Sequence, residues 1–529
     1  MLPVKKLNFG SNDAEDYRKK ENKELFNKIF LRDPIINSIL EGSRYFLVGE
    51  KGTGKTAYSV FLNNNSLDNT KSKIKFIRET EYSKFVQIIN KNQLSLYELT
   101  LIWKVVLLLV LLEEIDDCIN YNNPIQKFLI YRNLTKTIKE YYNNSFSGEI
   151  SQAFDIIENF EEFIHFLVNS STAQNDELSK SFLTNPNLKL GSTLTNFETK
   201  FKEALKVIKL NQSFILFIDG IDIRPDEINH EGYQSCVKSL CHALWELNND
   251  FLGNIKDLGG KRIKIMLLIR PDILVNTGLQ NINNKIRNNS VLLDWKTIYK
   301  NYSTSKLFYL ADRLLSVQQE DKKGEGECWN FYFPYTIYNY VSRELTDNPF
   351  VDFLRYSFYR PRDIITLLDI MKETVDDDNK LNFTRNDFQN ALSSFSDYLL
   401  GEIRDYLKFY YTEEEYEIFR NFFQFLKGRS KFTYDYFISC YNNYNSYLST
   451  NRKDSPIFMK SQDDFLQFLY EMNIISYKDT SSENSEESFI HWSFRERSYA
   501  NITPKVRTES EYSVHLGLLK ALNLGQETK

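Results

Sequence analysis

Short apolar runs alternate with helix-like segments through the first 300 residues. The runs predict buried strands and lie at 45–48, 73–78, 214–219, 261–269 and 290–294. Near-continuous apolar runs of this length are typical of strands covered on both faces. Because helical patterns separate them, we predict an α/β fold with a right-handed parallel sheet.

Helical periodicity dominates the segments around these strands. Residues 21–40 predict an amphipathic helix beside the sheet, and about 95–210 predict a large helical insertion. The longest apolar stretch, 101–112, contains Lys104. A bilayer needs about 20 apolar residues, so this stretch predicts a buried helix.

The second half predicts two further domains after a first domain at 1–300. Residues 301–400 predict a helical lid. Residues 401–529 follow the order helix, helix, helix, strand, acidic turn, strand, which is typical of a winged helix. The helices are expected near 413–427, 432–442 and 463–471, and the strands at 474–477 and 489–495.

A glycine-rich loop follows the first predicted strand. Its residues match the phosphate-loop pattern G-x-x-x-x-G-K-[ST]: Gly49, Glu50, Lys51, Gly52, Thr53, Gly54, Lys55 and Thr56. Amides in such a loop cradle phosphates, Lys55 reaches the β- and γ-phosphates, and Thr56 binds Mg²⁺. We therefore expect ATP and Mg²⁺ as ligands. The alternative is a strand-to-helix turn without a ligand.

Two aspartates end the apolar run 214–219 and its following turn. Asp219 lies at the carboxyl end of that strand, where ligands bind in open α/β sheets. We predict that Asp219 holds Mg²⁺ together with Thr56. Asp222 is predicted to orient or deprotonate the attacking water, with helix capping as its alternative.

Three arginines are further candidates for the same site. Arg270 ends the strand at 261–269 and either polarises the γ-phosphate or pairs with a nearby carboxylate. Arg360 and Arg362 flank a proline at the start of a predicted lid helix. They either reach the nucleotide or lie on the surface.

Composition narrows the cellular setting. The chain has 529 residues, 42% hydrophobic residues and a net charge of -5, which argues neither for nor against nucleic acid. Its five cysteines are scattered without a CxxC pair, which argues against zinc and for a reducing compartment. Residues 1–10 lack the apolar core of a signal peptide. We expect a cytoplasmic protein without a membrane partner.

Charge at the C-terminal end bears on DNA binding. The third helix and the wing carry acids that repel phosphates: Asp463, Asp464, Glu471, Asp479, Glu483, Glu486 and Glu487. A basic run follows them: Arg495, Arg497, Lys505 and Arg507. We favour a protein-contact or autoinhibitory role, while nucleic acid stays open.

These motifs resemble the signalling NTPases of the STAND group, among the wider AAA+ and ORC-like relatives. The likeness lies in Asp219-Gly220-Ile221-Asp222, in Arg270-Pro271 and in the lid segment Arg360-Pro361-Arg362-Asp363. The phosphate loop, Phe9-Gly10, Asp13-Ala14, the tail 491–497 and Val514-His515 resemble a bacterial family of stand-alone P-loop ATPases. Those proteins are found near restriction and phage-defence genes.

The resemblance implies a slowly hydrolysing regulatory ATPase. Gly220 occupies the position of the catalytic glutamate of AAA+ enzymes, which argues against a motor-like cycle. We expect a nucleotide-dependent switch or assembly subunit in anti-phage defence, with an effector in trans and with a protein partner or self-association. A DNA-handling ATPase, a loader or remodeller, is the alternative. A GTPase ranks below both because no N-K-x-D motif is evident.

Overall fold

A five-stranded parallel sheet is the centre of the first half of the chain. Its strands are β1 (Phe46–Val48), β2 (Thr70–Phe76), β3 (Ser213–Asp219), β4 (Ile263–Ile269) and β5 (Ser290–Leu292). They lie in the order β2-β3-β4-β1-β5, and every neighbouring pair is parallel. All five predicted strands are present, and the α/β fold is confirmed.

The computed structural model describes most of the chain outside the predicted insertion. The described residues are 1–77, 95–115, 118–119, 195, 198–199, 201–203, 205–222, 224, 230–256, 258–278, 282–339, 342–480 and 488–525.

Two compact units divide these residues. The sheet unit comprises 33–49 and 55–293, and the helical unit comprises 1–32, 50–54 and 294–529. The first five residues after Gly49 in the phosphate loop thus belong to the helical unit, whereas Lys55 and Thr56 belong to the sheet unit.

The sheet unit surrounds its sheet with helices. They are Ile35–Leu40, Lys55–Asn64, Leu96–Glu114, His230–Glu246, Pro271–Asn276 and Ile282–Asn289. The buried helix predicted at 101–112 is confirmed within Leu96–Glu114, which begins at a capping box of Ser95 and Glu98. Most of the remaining predicted insertion lies outside the described residues.

The single amphipathic helix predicted at 21–40 is wrong. The chain forms Lys20–Ile29 and Ile35–Leu40 instead, because Pro34 cannot continue the first helix and presets the start of the second. The first helix packs within the helical unit, on Lys306–Ser316. Only the second belongs to the sheet unit, where it contacts β5.

The lid region is mainly helical but contains a hairpin that the sequence did not predict. Its helices are Lys306–Ser316, Glu327–Tyr332, Phe350–Tyr356, Pro361–Glu373 and Arg385–Leu407. The hairpin pairs β6 (Ile337–Asn339) with β7 (Glu344–Asp347) in antiparallel fashion.

The C-terminal region combines three main helices with a four-stranded antiparallel sheet. The helices are Glu413–Phe422, Tyr434–Thr450 and Gln462–Glu471. The strands are β8 (Lys431–Thr433), β9 (Ile475–Thr480), β10 (Ser488–His491) and β11 (Glu511–Val514), in the order β10-β9-β11-β8. The strand predicted at 489–495 ends at His491, and a short helix, Ser493–Glu496, follows it.

Two of these strands, β8 and β11, were not predicted. β11 lies between β8 and β9, so the sheet contains more than the predicted pair of wing strands. Most of the predicted acidic turn, 481–487, lies outside the described residues. Among the helices that are described, none combines the length and apolar character needed to cross a bilayer.

Candidate nucleotide-binding site

Lys55 and Thr56 begin the helix that follows β1 in the sheet unit. The Lys55 ammonium is buried and donates to the Gly49 carbonyl at 2.9 Å. It also pairs with the Asp222 carboxylate, with 3.1 Å between Nζ and Oδ2. The Thr56 hydroxyl donates to Asp219 Oδ2 at 2.6 Å. The two loop residues predicted to bind phosphate and Mg²⁺ therefore contact the two predicted acids.

Asp219 occupies the carboxyl end of β3, a central strand of the sheet. It is 7% exposed, and its second oxygen accepts the Gly220 amide at 2.8 Å. Burial raises the pKa of the Asp219 carboxyl to about 6, and the nearby Asp222 charge adds to the rise against the effect of the Thr56 hydrogen bond. A bound cation would favour the ionised form of this carboxylate.

Gly220 is fixed by its backbone and by a close neighbour. Its φ is +97°, and an added Cβ would lie 2.3 Å from the Ile77 carbonyl oxygen. A contact below 3 Å with backbone cannot be relieved by a side-chain rotation. The glutamate of AAA+ enzymes therefore cannot occupy this position in the present backbone.

Asp222 lies in the turn beyond β3. One oxygen pairs with Lys55, and the other is buried without a hydrogen-bond partner among the described residues. The described contact of Asp222 is thus with the loop lysine.

Arg270 lies at the end of β4 and is 1% exposed. Its guanidinium forms a bidentate pair with Asp272, with Nε–Oδ1 at 3.1 Å and Nη2–Oδ2 at 2.5 Å. Of the two alternatives from the sequence, the structure places the arginine in a pair with a carboxylate.

In the helical unit, residues 50–54 contact the lid and tail segments. Glu50 pairs with Arg497. The Lys51 ammonium lies 3.0 Å from Glu402 Oε1 and 2.7 Å from Asp405 Oδ2. Lys51 was predicted to bind nucleotide, but its charge is directed to these two carboxylates.

The lid arginines contact the loop through its backbone. Arg360 donates through Nη1 to the Lys51 carbonyl at 3.1 Å and through Nε and Nη2 to Asp363. The Arg362 amide donates to the Gly52 carbonyl at 3.3 Å, and its side chain donates to the Asn12 carbonyl at 3.2 Å. The opening segment of the chain thus contacts the lid.

Glu402 is a site residue that the sequence analysis missed. Besides Lys51, it lies 3.5 Å from Arg360 Nη1 and 3.6 Å from Arg362 Nη1. Burial opposes its ionisation, but the charges of Arg360, Lys51 and Arg362 hold the pKa of Glu402 below its ordinary value. A single glutamate on a helical pattern gives no signal that distinguishes it from a surface residue.

Residues of the tail segment 491–497 contact the residues that directly precede Arg360. Arg495 donates to the Tyr359 hydroxyl and lies over the Tyr359 ring at 4.8 Å. Phe494 packs against the same ring, with 5.1 Å between centroids. Buried His515 contacts the Ser357 carbonyl at 3.2 Å. Tyr359 has a φ of +57°, a conformation that costs about 1–3 kcal/mol and requires such support.

Most of the basic run is engaged inside the helical unit. Arg495 is held by Tyr359, Arg497 by Glu50 and the Glu471 carbonyl, and Arg507 by Asp479.

One family model matches the chain. It is described as the FunZ-associated C-terminal helical domain and covers residues 305–404, which include Arg360, Arg362 and Glu402. The match does not extend to the phosphate loop. Among curated proteins, none matches the chain.

Proposed function

We propose that the protein is an ATP-binding, slowly hydrolysing regulatory ATPase. The observation that carries the proposal is the pairing of Lys55 with Asp222 and of Thr56 with Asp219 at the end of β3. A loop lysine, a loop hydroxyl and a strand-end aspartate are the groups that phosphoryl-transfer sites use.

The residues present fit both ligands. Thr56 and Asp219 offer a hydroxyl and a carboxylate oxygen, the ligand type that Mg²⁺ prefers. Mg²⁺ would supply charge neutralisation at the phosphates. Lys55 would bind the β- and γ-phosphates in place of Asp222, and Asp222 would then be available to orient or deprotonate the attacking water.

Slow turnover follows from the residue beside Asp219. Because the close approach of Ile77 requires glycine at position 220, the chain has no side chain there to activate water. The task of activating water then falls to Asp222, whose carboxylate contacts the loop lysine. We therefore expect slow ATP hydrolysis, as in a nucleotide-dependent switch and unlike a motor.

The wider role is that of a switch or assembly subunit in bacterial anti-phage defence. The match to the FunZ-associated domain fits a defence-cluster protein. We expect an effector in trans and ATP-dependent capture of a protein partner or self-association, with a C-terminal domain of winged-helix type as the contact region.

The DNA-handling alternative relied on the basic run of the C-terminal region. Arg495 and Arg497 contact Tyr359 and Glu50 within the helical unit, which supports the protein-contact role over a DNA-binding face, whereas Lys505 and Arg507 stay exposed. A gel shift of the full chain with a 30-base-pair duplex should give binding no tighter than ~10⁻⁴–10⁻⁶ M at physiological salt. Nanomolar binding would place the DNA-handling ATPase first.

Substitution of the loop lysine tests the proposal. Lys55→Ala should weaken ATP affinity by at least ~100-fold, because roughly 3 kcal/mol is lost with a hydrogen bond to a charged group. Isothermal calorimetry measures the affinity, and Lys206→Ala, at an exposed position of the same unit, is the matched control. Unchanged affinity in Lys55→Ala, with the melting temperature retained, would reject the proposed nucleotide site.

A further inference from the structure

Three consecutive carbonyls of the phosphate loop accept hydrogen bonds from the helical unit. The Lys51 carbonyl accepts from Arg360 Nη1 at 3.1 Å, and the Gly52 carbonyl accepts from the Arg362 amide at 3.3 Å. The Thr53 carbonyl accepts from the Trp295 indole Nε1 at 2.9 Å. The hydrogen bond from the Trp295 indole is the shortest of the three. No motif in the sequence marks Trp295.

Because the peptide unit is planar, these contacts to the carbonyls also fix the direction of the following amides. In a trans peptide, the C=O of one residue and the N–H of the next point in opposite directions. Fixing the carbonyls of residues 51, 52 and 53 therefore turns the amides of Gly52, Thr53 and Gly54 to the opposite side. The Thr53 amide donates to the Glu50 carbonyl at 3.3 Å inside the loop, and a phosphate would have to replace this acceptor.

The backbone of these residues has the form of an anion-binding nest. Gly52 has a φ of +82° and Gly54 a φ of +94°, while the alternating Lys51 and Thr53 are not among the positive-φ residues. Alternation of the two signs of φ makes successive N–H groups converge on one concavity that suits a phosphate. A side chain at 52 or 54 would strain this arrangement.

The three donors are themselves held in place. Arg360 is 8% exposed, and Asp363 binds its guanidinium at 3.0 Å and 2.6 Å. The Arg362 amide belongs to the first turn of the helix Pro361–Glu373. Trp295 is also 8% exposed. Fixed donors restrict the loop carbonyls more than mobile surface groups would.

We propose that Trp295, Arg360 and Arg362 are positioning residues that aim the amides of Gly52, Thr53 and Gly54 at the nucleotide phosphates. This inference rests on the proposed ATP-binding function and says which residues orient the loop amides that bind the phosphates. Arg360 acts on the phosphates through the loop backbone and does not touch the γ-phosphate. Because loop amides cradle the α- and β-phosphates, ATP and ADP should depend on these donors to the same extent.

Two conservative variants test the assignment. Trp295→Phe keeps the ring packing and removes the indole N–H. Arg360→Lys keeps the charge, but one ammonium cannot serve both Asp363 and the Lys51 carbonyl. Each should weaken ATP and ADP affinity equally, by about fivefold for one lost hydrogen bond. Hydrogen exchange of the peptide covering 50–54 should be faster in the nucleotide-free variants.

Matched controls come from the same unit. Trp329→Phe removes another buried indole N–H, which donates to Asn348 Oδ1 at 2.9 Å. Arg355→Lys disturbs another double carboxylate pair, with Asp347 and Asp352. Both controls should leave nucleotide affinity and loop exchange at the parental values, even where they lower the melting temperature.

The outcomes separate this inference from the proposed function. Loss of ATP affinity alone, with ADP affinity retained, would make Arg360 a γ-phosphate contact and overturn the inference. Unchanged affinity and unchanged exchange would overturn it as well. If the parental protein binds neither nucleotide, the proposed function fails, and loop exchange in Trp295→Phe and Arg360→Lys still decides whether these donors order the loop.

Discussion

Asp222→Asn should produce two opposite effects, because Asp222 both pairs with Lys55 and is the proposed catalytic carboxylate. Hydrolysis should slow by about 100-fold, the scale of a lost general base. ATP affinity should increase, since the phosphates no longer compete with a carboxylate for the Lys55 ammonium. A residue with only a structural role would not separate the two quantities in this way.

The distance between the two charges sets the size of the affinity effect. Lys55 Nζ and Asp222 Oδ2 lie 3.1 Å apart, and the side chains are 6% and 23% exposed. Unit charges at that separation attract by roughly 5 kcal/mol at an effective dielectric constant of about 20. Desolvation offsets most of this attraction, so we expect about 1–2 kcal/mol net, or about tenfold tighter ATP binding.

Calorimetry with a non-hydrolysable ATP analogue and Mg²⁺ measures the affinity, and single-turnover hydrolysis measures the chemical step. Asp250→Asn, at an exposed position of the sheet unit, is the matched control and should change neither quantity. A variant that hydrolyses ATP at the parental rate would return Asp222 to a structural role. Affinity that stays the same or falls would refute competition for Lys55.

Two further predictions concern buried charges of the sheet unit. Because burial raises the pKa of Asp219 to about 6, this carboxyl is protonated below that pH. Because the metal-free carboxyl must lose its proton to bind the cation, the affinity for Mg²⁺ should fall as the pH drops through about 6. Asp219→Asn should abolish this dependence in Mg²⁺ titrations between pH 5 and 8 while largely sparing nucleotide binding. Lys264→Met should lower the free energy of unfolding by about 3 kcal/mol in urea titrations, because the buried ammonium donates to the carbonyls of Ile39, Glu41 and Arg44. The exposed Lys256→Met serves as its control, and equal stability of the two variants would contradict this role for Lys264.

Local pattern was sufficient for the parallel sheet. β3 and β4 are buried along nearly their whole length, so their sequences are almost uninterrupted apolar runs. Among the strands that were missed, β8 and β11 have three and four residues and include Lys431 and Glu511 at exposed positions. Such short strands are defined by their partners in the sheet, which a single sequence does not reveal.

The candidate site divides in the same way. The loop and the aspartates at the end of β3 are contiguous motifs, and the sequence identified both. Glu402 and Trp295 reach the loop across 351 and 242 positions of the chain, respectively. The sequence around Glu402 and Trp295 does not predict these contacts, because a glutamate on a helix and a tryptophan after a strand are common in any fold.

The carbonyl contacts also bear on how a partner could act. A ligand that binds the helical unit and shifts Trp295 or Arg360 would reorient loop amides without any of its atoms touching a phosphate. Coupling of this kind is reciprocal: the factor by which a partner changes ATP affinity equals the factor by which ATP changes partner affinity. The tail segment adds a connection, since Arg495 supports Tyr359 directly before Arg360. Under the proposed function, a partner bound to the helical unit would regulate nucleotide affinity through the backbone of residues 51–53.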